Sequence, residues 1–176
     1  YFSFKTKDPF AQPRPERPMG EVFMTNTGLR DWAFELTKNL ELMDSSEFQA
    51  LREAYVDHPA ALRPPFVLKG GHLAAMTYWH GALKNAWANE LVRYWSDGEA
   101  NFVTSAMEET GTFQSITYLD NAGLVDKERF LVLRGGSNFT MQPPTLTAAQ
   151  SLLRNRIDIG GLMRKLQTYN VEGKFV

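Results

Sequence analysis

The stretch Asn101-Phe102-Val103-Thr104-Ser105-Ala106-Met107-Glu108-Glu109-Thr110-Gly111-Thr112 decides how this chain is read. Phe102-Val103-Thr104 is apolar and β-prone, as a buried strand requires, and the run from Glu108 to Gln114 has the composition of a helix's first turn. A strand feeding a helix puts Met107 and Glu108 just beyond the strand's carboxyl end, where open α/β sheets hold ligands. An ionised carboxylate is an acceptor-only fork, so Glu108 can take two neighbouring hydroxyls at once, as a ribose presents them.

Working outward, the helix carrying Phe113 and Ile116 is expected to stop at Asn121-Ala122-Gly123, a glycine terminator. Further strands are expected at Glu21–Thr25, at Phe66-Val67-Leu68-Lys69 before Gly70-Gly71-His72, and at Phe130-Leu131-Val132-Leu133, which reads as the clearest of them. A helix with Leu29, Trp32, Ala33 and Leu36 on one face follows the first strand. Asp44-Ser45-Ser46-Glu47 and Thr147-Ala148-Ala149-Gln150 are helix-opening capping patterns. In a longer helix Trp79, Leu83, Trp87, Leu91 and Trp95 recur every fourth residue, a spacing best read for Trp87 and Trp95 as a core-facing stripe. A last helical stretch includes Leu162, Leu166 and Tyr169. Strands alternating with helices predict an α/β layered domain. Residues 1–20 hold the proline run Pro9, Pro13, Pro15 and Pro18 and read as an extended arm, with one α/β unit over 21–176.

The bulk composition excludes several classes. The 176 residues suffice for one domain with a core, and 43% hydrophobic against 22% charged residues describe a globular rather than disordered chain. Nineteen basic and twenty acidic residues leave a formal charge of -1, which offers no footprint for nucleic acid. Without cysteine there is no disulfide framework, thiolate nucleophile or Cys-ligated zinc. His72 and His80 lack companions at metal-ligand spacing, and no apolar run is long enough to cross a bilayer. The compartment stays open: the first residue is Tyr1, and an extracellular or cell-surface location would follow from a leader upstream of it.

The expected strand ends before Thr77-Tyr78-Trp79, Met107-Glu108 and Ser137-Asn138 can meet in one crevice if their strands are neighbours. Tyr78 and Trp79 then supply a flat apolar wall, Met107 an adaptable surface, and Asn138 an amide for a purine edge, with Arg134 bringing positive charge nearby. Each has a blander reading. Met107 can be a packed methionine beside a solvated Glu108, Glu109 is expected to face solvent, and Ser137-Asn138 after two glycines is common turn chemistry. Arg134 can be paired with a surface carboxylate, and Asn138-Phe139-Thr140 is a glycosylation sequon that places Asn138 on an exposed loop.

Four separated words bring these residues together. Leu-Arg-Asp-Trp-Ala-Phe-Glu-Leu-Thr-Lys at 29–38, Thr-Tyr-Trp-His-Gly at 77–81, Asn-Phe-Val-Thr-Ser-Ala-Met-Glu-Glu-Thr-Gly at 101–111 and Leu-Arg-Gly-Gly-Ser-Asn-Phe-Thr-Met-Gln-Pro-Pro at 133–144 resemble the purine nucleoside permease family of fungi and bacteria. That family is similar to a branch of the nucleoside phosphorylase and nucleosidase superfamily. The resemblance implies a three-layer α/β/α nucleoside phosphorylase-like fold with a central mixed sheet, of which this chain holds the C-terminal portion. It implies that Met107-Glu108 binds ribose, that Thr77-Tyr78 lies against the nucleoside, and that Ser137-Asn138 holds the purine. Glu108 and Asn138 are the residues it places at the cleaved bond, in a nucleosidase-type or phosphorylase-type reaction. Asn138 stands where many superfamily enzymes carry an acid, and an amide stabilises charge on a departing base without donating a proton. No cofactor is implied beyond phosphate as a co-substrate. The superfamily's phosphate-binding glycine loop precedes the matched region, and Gly70-Gly71 does not replace it. The implied partners are a purine nucleoside and either further copies of the chain or the missing N-terminal portion. The other readings are a nucleoside-binding or uptake component without chemistry, and a storage or interaction protein that has kept the fold alone.

Overall fold

The structure is a computed structural model in which residues 22–76 and 78–153 are described. The proline arm at 1–20, Thr77 and the expected helix at Leu162, Leu166 and Tyr169 lie outside the described residues. In chain order the elements are α1 (Thr27–Thr37), α2 (Ser46–Arg52), α3 (Pro59–Leu62), β1 (Gly71–Ala74), α4 (Ala82–Trp95), β2 (Phe102–Ala106) and α5 (Glu109–Asn121), followed by a 3-10 turn at Lys127–Arg129. A further helical segment is described over 148–153.

Local chemistry explains the helix boundaries. The Asn26 side chain accepts from the Leu29 amide at 3.0 Å and opens α1, and Ser45 caps α2 through the Phe48 amide at 3.3 Å. Pro59 stands at the start of α3. At α5, Gly123 takes the left-handed conformation (φ 71°) that ends a helix. Thr147 and Gln150 exchange the reciprocal bonds of a capping box, side chain to backbone in both directions.

At the centre, β1 and β2 pair in parallel with α4 between them in sequence, a β-α-β unit. The register pairs His72 with Thr104 and Ala74 with Ala106, with an irregularity between Gly71 and His72. Helix α4 meets the sheet through a bare seam. Ala88 is fully buried, and a Cβ built on Gly71 would fall 2.4 Å from Val92 Cγ1. A Cβ on Gly70 would likewise fall 2.6 Å from Val103 Cγ1 and 2.7 Å from the Asn101 carbonyl oxygen. The two glycines are therefore the price of close backbone approach. Asn89 completes the seam by accepting from the Phe102 amide at 3.1 Å.

Several expectations are corrected here. The first strand of the pair is Gly71–Ala74, downstream of the expected Phe66–Lys69, because the bare glycine backbone is what reaches β2. Phe66 instead lies under the Arg63 guanidinium, 3.9 Å from it, and Lys69 pairs with Asp31 at 2.8 Å. Val22–Thr25 and Phe130–Leu133 are not strands: no described strand lies alongside to complete a ladder. Their aromatics are used for packing, Phe23 and Phe130 both standing edge-on to the buried Phe113 at 5.5 and 5.1 Å. The α1 stripe is split, since Trp32 (61%) and Leu36 (63%) are exposed. The expected every-fourth-residue stripe is not a single helical face either, since Trp79 precedes α4, which starts at Ala82. At 3.6 residues per turn each four-residue step overshoots by about 40°, so Leu83 ends 90% exposed while Trp87 and Trp95 are half-buried.

The described fold is thus α/β, with a two-stranded parallel sheet. Among the described residues no helix is long and apolar enough to cross a membrane.

Candidate functional site

Parallel pairing sends both strands out of the sheet at the same end. The Ala75 amide donates to the Ala106 carbonyl at 2.8 Å, so the residues after β1 and after β2 leave side by side. Beyond that bond stand Met76 (95% exposed), Tyr78, Met107 and Glu108, all open to solvent. This is the carboxyl edge at which α/β sheets accept ligands.

Glu108 immediately precedes α5 and its side chain is 68% exposed. Arg134 donates to it from Nη2 at 2.6 Å. That hydrogen bond is the main cause holding the Glu108 carboxyl below its usual range, helped by the backbone N–H groups of Glu108 and Met107. The same Arg134 Nη2 also pairs with Oε1 of Glu109. Glu109 Oε2 in turn lies 2.7 Å from His72 Nε2, reached from the middle of β1.

Glu109 was expected to face solvent, and the structure corrects this: its side chain is only 11% exposed. Adjacent helical residues point about 100° apart, so only one of the two glutamates can turn outward, and Glu108 takes that direction. Sequence spacing carried no signal for the Glu109–His72 pair, whose members are 37 positions apart. Burial is the first cause pushing the His72 imidazole down; Arg134 adds to it and Glu108 opposes. A neutral ring donates Nε2–H to the acceptor-only Glu109, which leaves Nδ1 buried without a partner among the described residues. No group of three potential metal ligands occurs among those residues.

Tyr78 and the Asn138 loop belong to a second group of contacts. Tyr55, buried, donates from its hydroxyl to the Met141 carbonyl at 3.0 Å and packs on Phe139, ring centroids 4.4 Å apart. The Gly81 amide donates to the Thr140 carbonyl at 2.8 Å and the Ala82 amide to Gln142 Oε1 at 3.1 Å, which fixes residues 139–142 against the start of α4. Tyr78 sits 6.2 Å from the buried His80 ring, and burial raises its phenol above the usual value. Ser137 donates from Oγ to Asn138 Oδ1, and Asn138 Nδ2 donates to the Phe139 carbonyl, each at 3.1 Å. Asn138 lies in a loop and is half-buried, with both of its side-chain hydrogen bonds near solvent. Trp79 packs on Trp87 at 5.8 Å with Lys84 over its face. The structure therefore joins Glu108 to Arg134 and sets Tyr78 beside His80. No hydrogen bond, ion pair or ring contact among the described residues links Glu108 directly to Tyr78 or Asn138.

The whole chain, residues 1–176, matches the purine nucleoside permease (NUP) family. The chain belongs to that family. A purine nucleoside permease of Candida albicans is 31% identical over 153 residues, covering 87% of this chain and 37% of that protein. A probable purine nucleoside permease of Schizosaccharomyces pombe is 24% identical over 141 residues, covering 80% of this chain and 40% of its own length. This purine nucleoside permease family member thus spans about two-fifths of the length of the curated relatives it matches. No solved structure matches the chain.

Proposed function

We propose that this chain forms part of a purine-nucleoside-binding component that serves nucleoside uptake. Family membership carries the reading, since the relatives from both yeasts are named as purine nucleoside permeases. The strand-end geometry supports it with a site of suitable chemistry. Glu108 accepts the two ribose hydroxyls, Met107 and Tyr78 cover the apolar faces of the nucleoside, and the neighbouring Thr77 and Trp79 belong to the same proposed binding segment. Ser137 and Asn138 meet the purine edge by exchanging their present local bonds for the ligand's. Arg134 balances the carboxylate charge beside the sugar. The broader sheet of a nucleoside phosphorylase-like fold is part of the same proposal. So is association with further copies or with the remainder of a longer chain, which would cover the exposed Met76, Leu83 and Leu133.

Cleavage of the N-glycosidic bond is the second reading, and one observation favours it: an ionised carboxylate stands at the strand edge, where an oxocarbenium-like sugar needs an anion. Titration calorimetry with inosine and adenosine, followed by product analysis with and without phosphate, separates the two. The uptake reading expects saturable binding and intact nucleoside. Free base would transfer the assignment to cleavage, with ribose marking hydrolysis and ribose 1-phosphate marking phosphorolysis. No binding would remove both.

A further inference from the structure

One arginine nitrogen serves two carboxylates of very different standing. Arg134 Nη2 reaches Glu108, whose side chain is 68% exposed, and Glu109, whose side chain is 11% exposed. Glu109 has no oxygen to spare, because Oε1 takes Arg134 and Oε2 faces His72 at 2.7 Å. A carboxylate already immobilised in a half-dry setting forms the stronger pair, since it loses little further freedom and is poorly screened. The exposed Glu108 pair is the one a ligand can exchange.

Resting on the nucleoside-binding reading, we propose that Glu109 is the positioning residue of the ribose site. Seated against His72, it retains Arg134 and keeps the guanidinium from closing fully over Glu108, whose oxygens then remain available to a vicinal diol. Charge supports this assignment. Glu108 and Glu109 together carry two negative charges against one on Arg134, so the guanidinium is shared and does not neutralise both. Remove the charge at Glu109 and Arg134 has a single anionic partner in this group, the same atoms the diol must use.

The test compares inosine with 2′-deoxyinosine, which lacks the diol, by calorimetry on the full protein. Glu109→Gln preserves volume and an acceptor oxygen while deleting the charge. It should weaken inosine binding about tenfold, the effect of losing one charge-assisted contact, and leave 2′-deoxyinosine within about twofold. Adding Arg134→Met to that variant removes the competitor and should recover most of the inosine affinity. Equal weakening of both ligands, or no recovery in the double variant, would mean that Glu109 merely supports the fold and would overturn the proposal. A carbon-13 titration of the Glu108 carboxyl in the ligand-free protein reads the competition without any nucleoside: its pKa should fall further in Glu109→Gln and rise in Arg134→Met. An unmoved Glu108 overturns the proposal. If the parent binds no nucleoside while Glu108 shifts as expected, the functional reading fails and the carboxylate competition stands.

Discussion

Gly71→Ala tests the contact on which the placement of His72 and the strand edge depends. The added methyl carbon would lie 2.4 Å from Val92 Cγ1, 3.0 Å from Cγ2 and 3.3 Å from Cβ. Ordinary carbon–carbon contacts sit near 3.5–4.0 Å, so the closest overlap is about 1 Å. Rotating Val92 does not clear it. Both methyls are near, a β-branched residue in a helix has one strongly preferred rotamer, and Cβ cannot move without the helix. Helix α4 must back away from β1, at a cost of about 1–3 kcal/mol for overpacking. Against this, alanine in place of glycine within a strand returns roughly 0.5–1 kcal/mol. A net loss near 1.5 kcal/mol corresponds to a fall in melting temperature of about 3–6 °C for a chain of this size. Urea unfolding should show a lower midpoint at unchanged slope. The double variant with Val92→Ala removes both clashing methyls, so the cycle should give a favourable coupling of about 1 kcal/mol or more. Unchanged stability in Gly71→Ala, or strict additivity in the cycle, would refute the close seam between α4 and β1.

Phe113→Ala should cost about 3 kcal/mol in the same urea assay, because the ring is buried and Phe23 and Phe130 both stand edge-on to it; a loss under about 1 kcal/mol would mean that this cluster is not a core. Asn26→Ala removes the α1 cap and the bond from its Nδ2 to the Glu128 carbonyl, and a loss of about 1 kcal/mol is expected, with Asn26→Asp retaining the cap alone. His72 gives a pH signature. Its folded pKa lies below the ordinary 6.5, so the stability it contributes is complete above 6.5 and is lost as pH falls through the lowered folded value. Stability measured from pH 7.5 downward should therefore decline less steeply in His72→Gln than in the parent; identical slopes would contradict the buried neutral ring.

What the sequence made legible was local. The end of α5 at Gly123, the caps at Ser45 and Thr147, and the strand at Phe102 each rest on residues within a few positions of one another. The α/β class follows from the same signals. The misplaced strands have a different cause: Phe66–Lys69 and Phe130–Leu133 carry strong β-propensity, but a strand exists only where another backbone completes the ladder. Gly70-Gly71 looked like a break and is the point of closest approach. The placement of Met107-Glu108 just past a strand was legible because β2 is signalled by its own sequence, whereas the strand before Tyr78 begins at Gly71 rather than Phe66. Glu109 was missed because its direction depends on His72, supplied by a neighbouring strand. The partners of Arg134 were left open for the same reason. The resemblance of separated words reached the family that the whole-chain match shows, while the chemistry at Glu108 lies beyond what sequence words can carry.

On the proposed function, Glu108 takes the ribose hydroxyls at the shared end of the two parallel strands. Titration calorimetry of inosine against the parent and Glu108→Gln addresses it most directly. Saturable binding to the parent and a loss of at least about tenfold in the variant are expected, the worth of a charged hydrogen-bond acceptor. Equal affinity in the two proteins would contradict it.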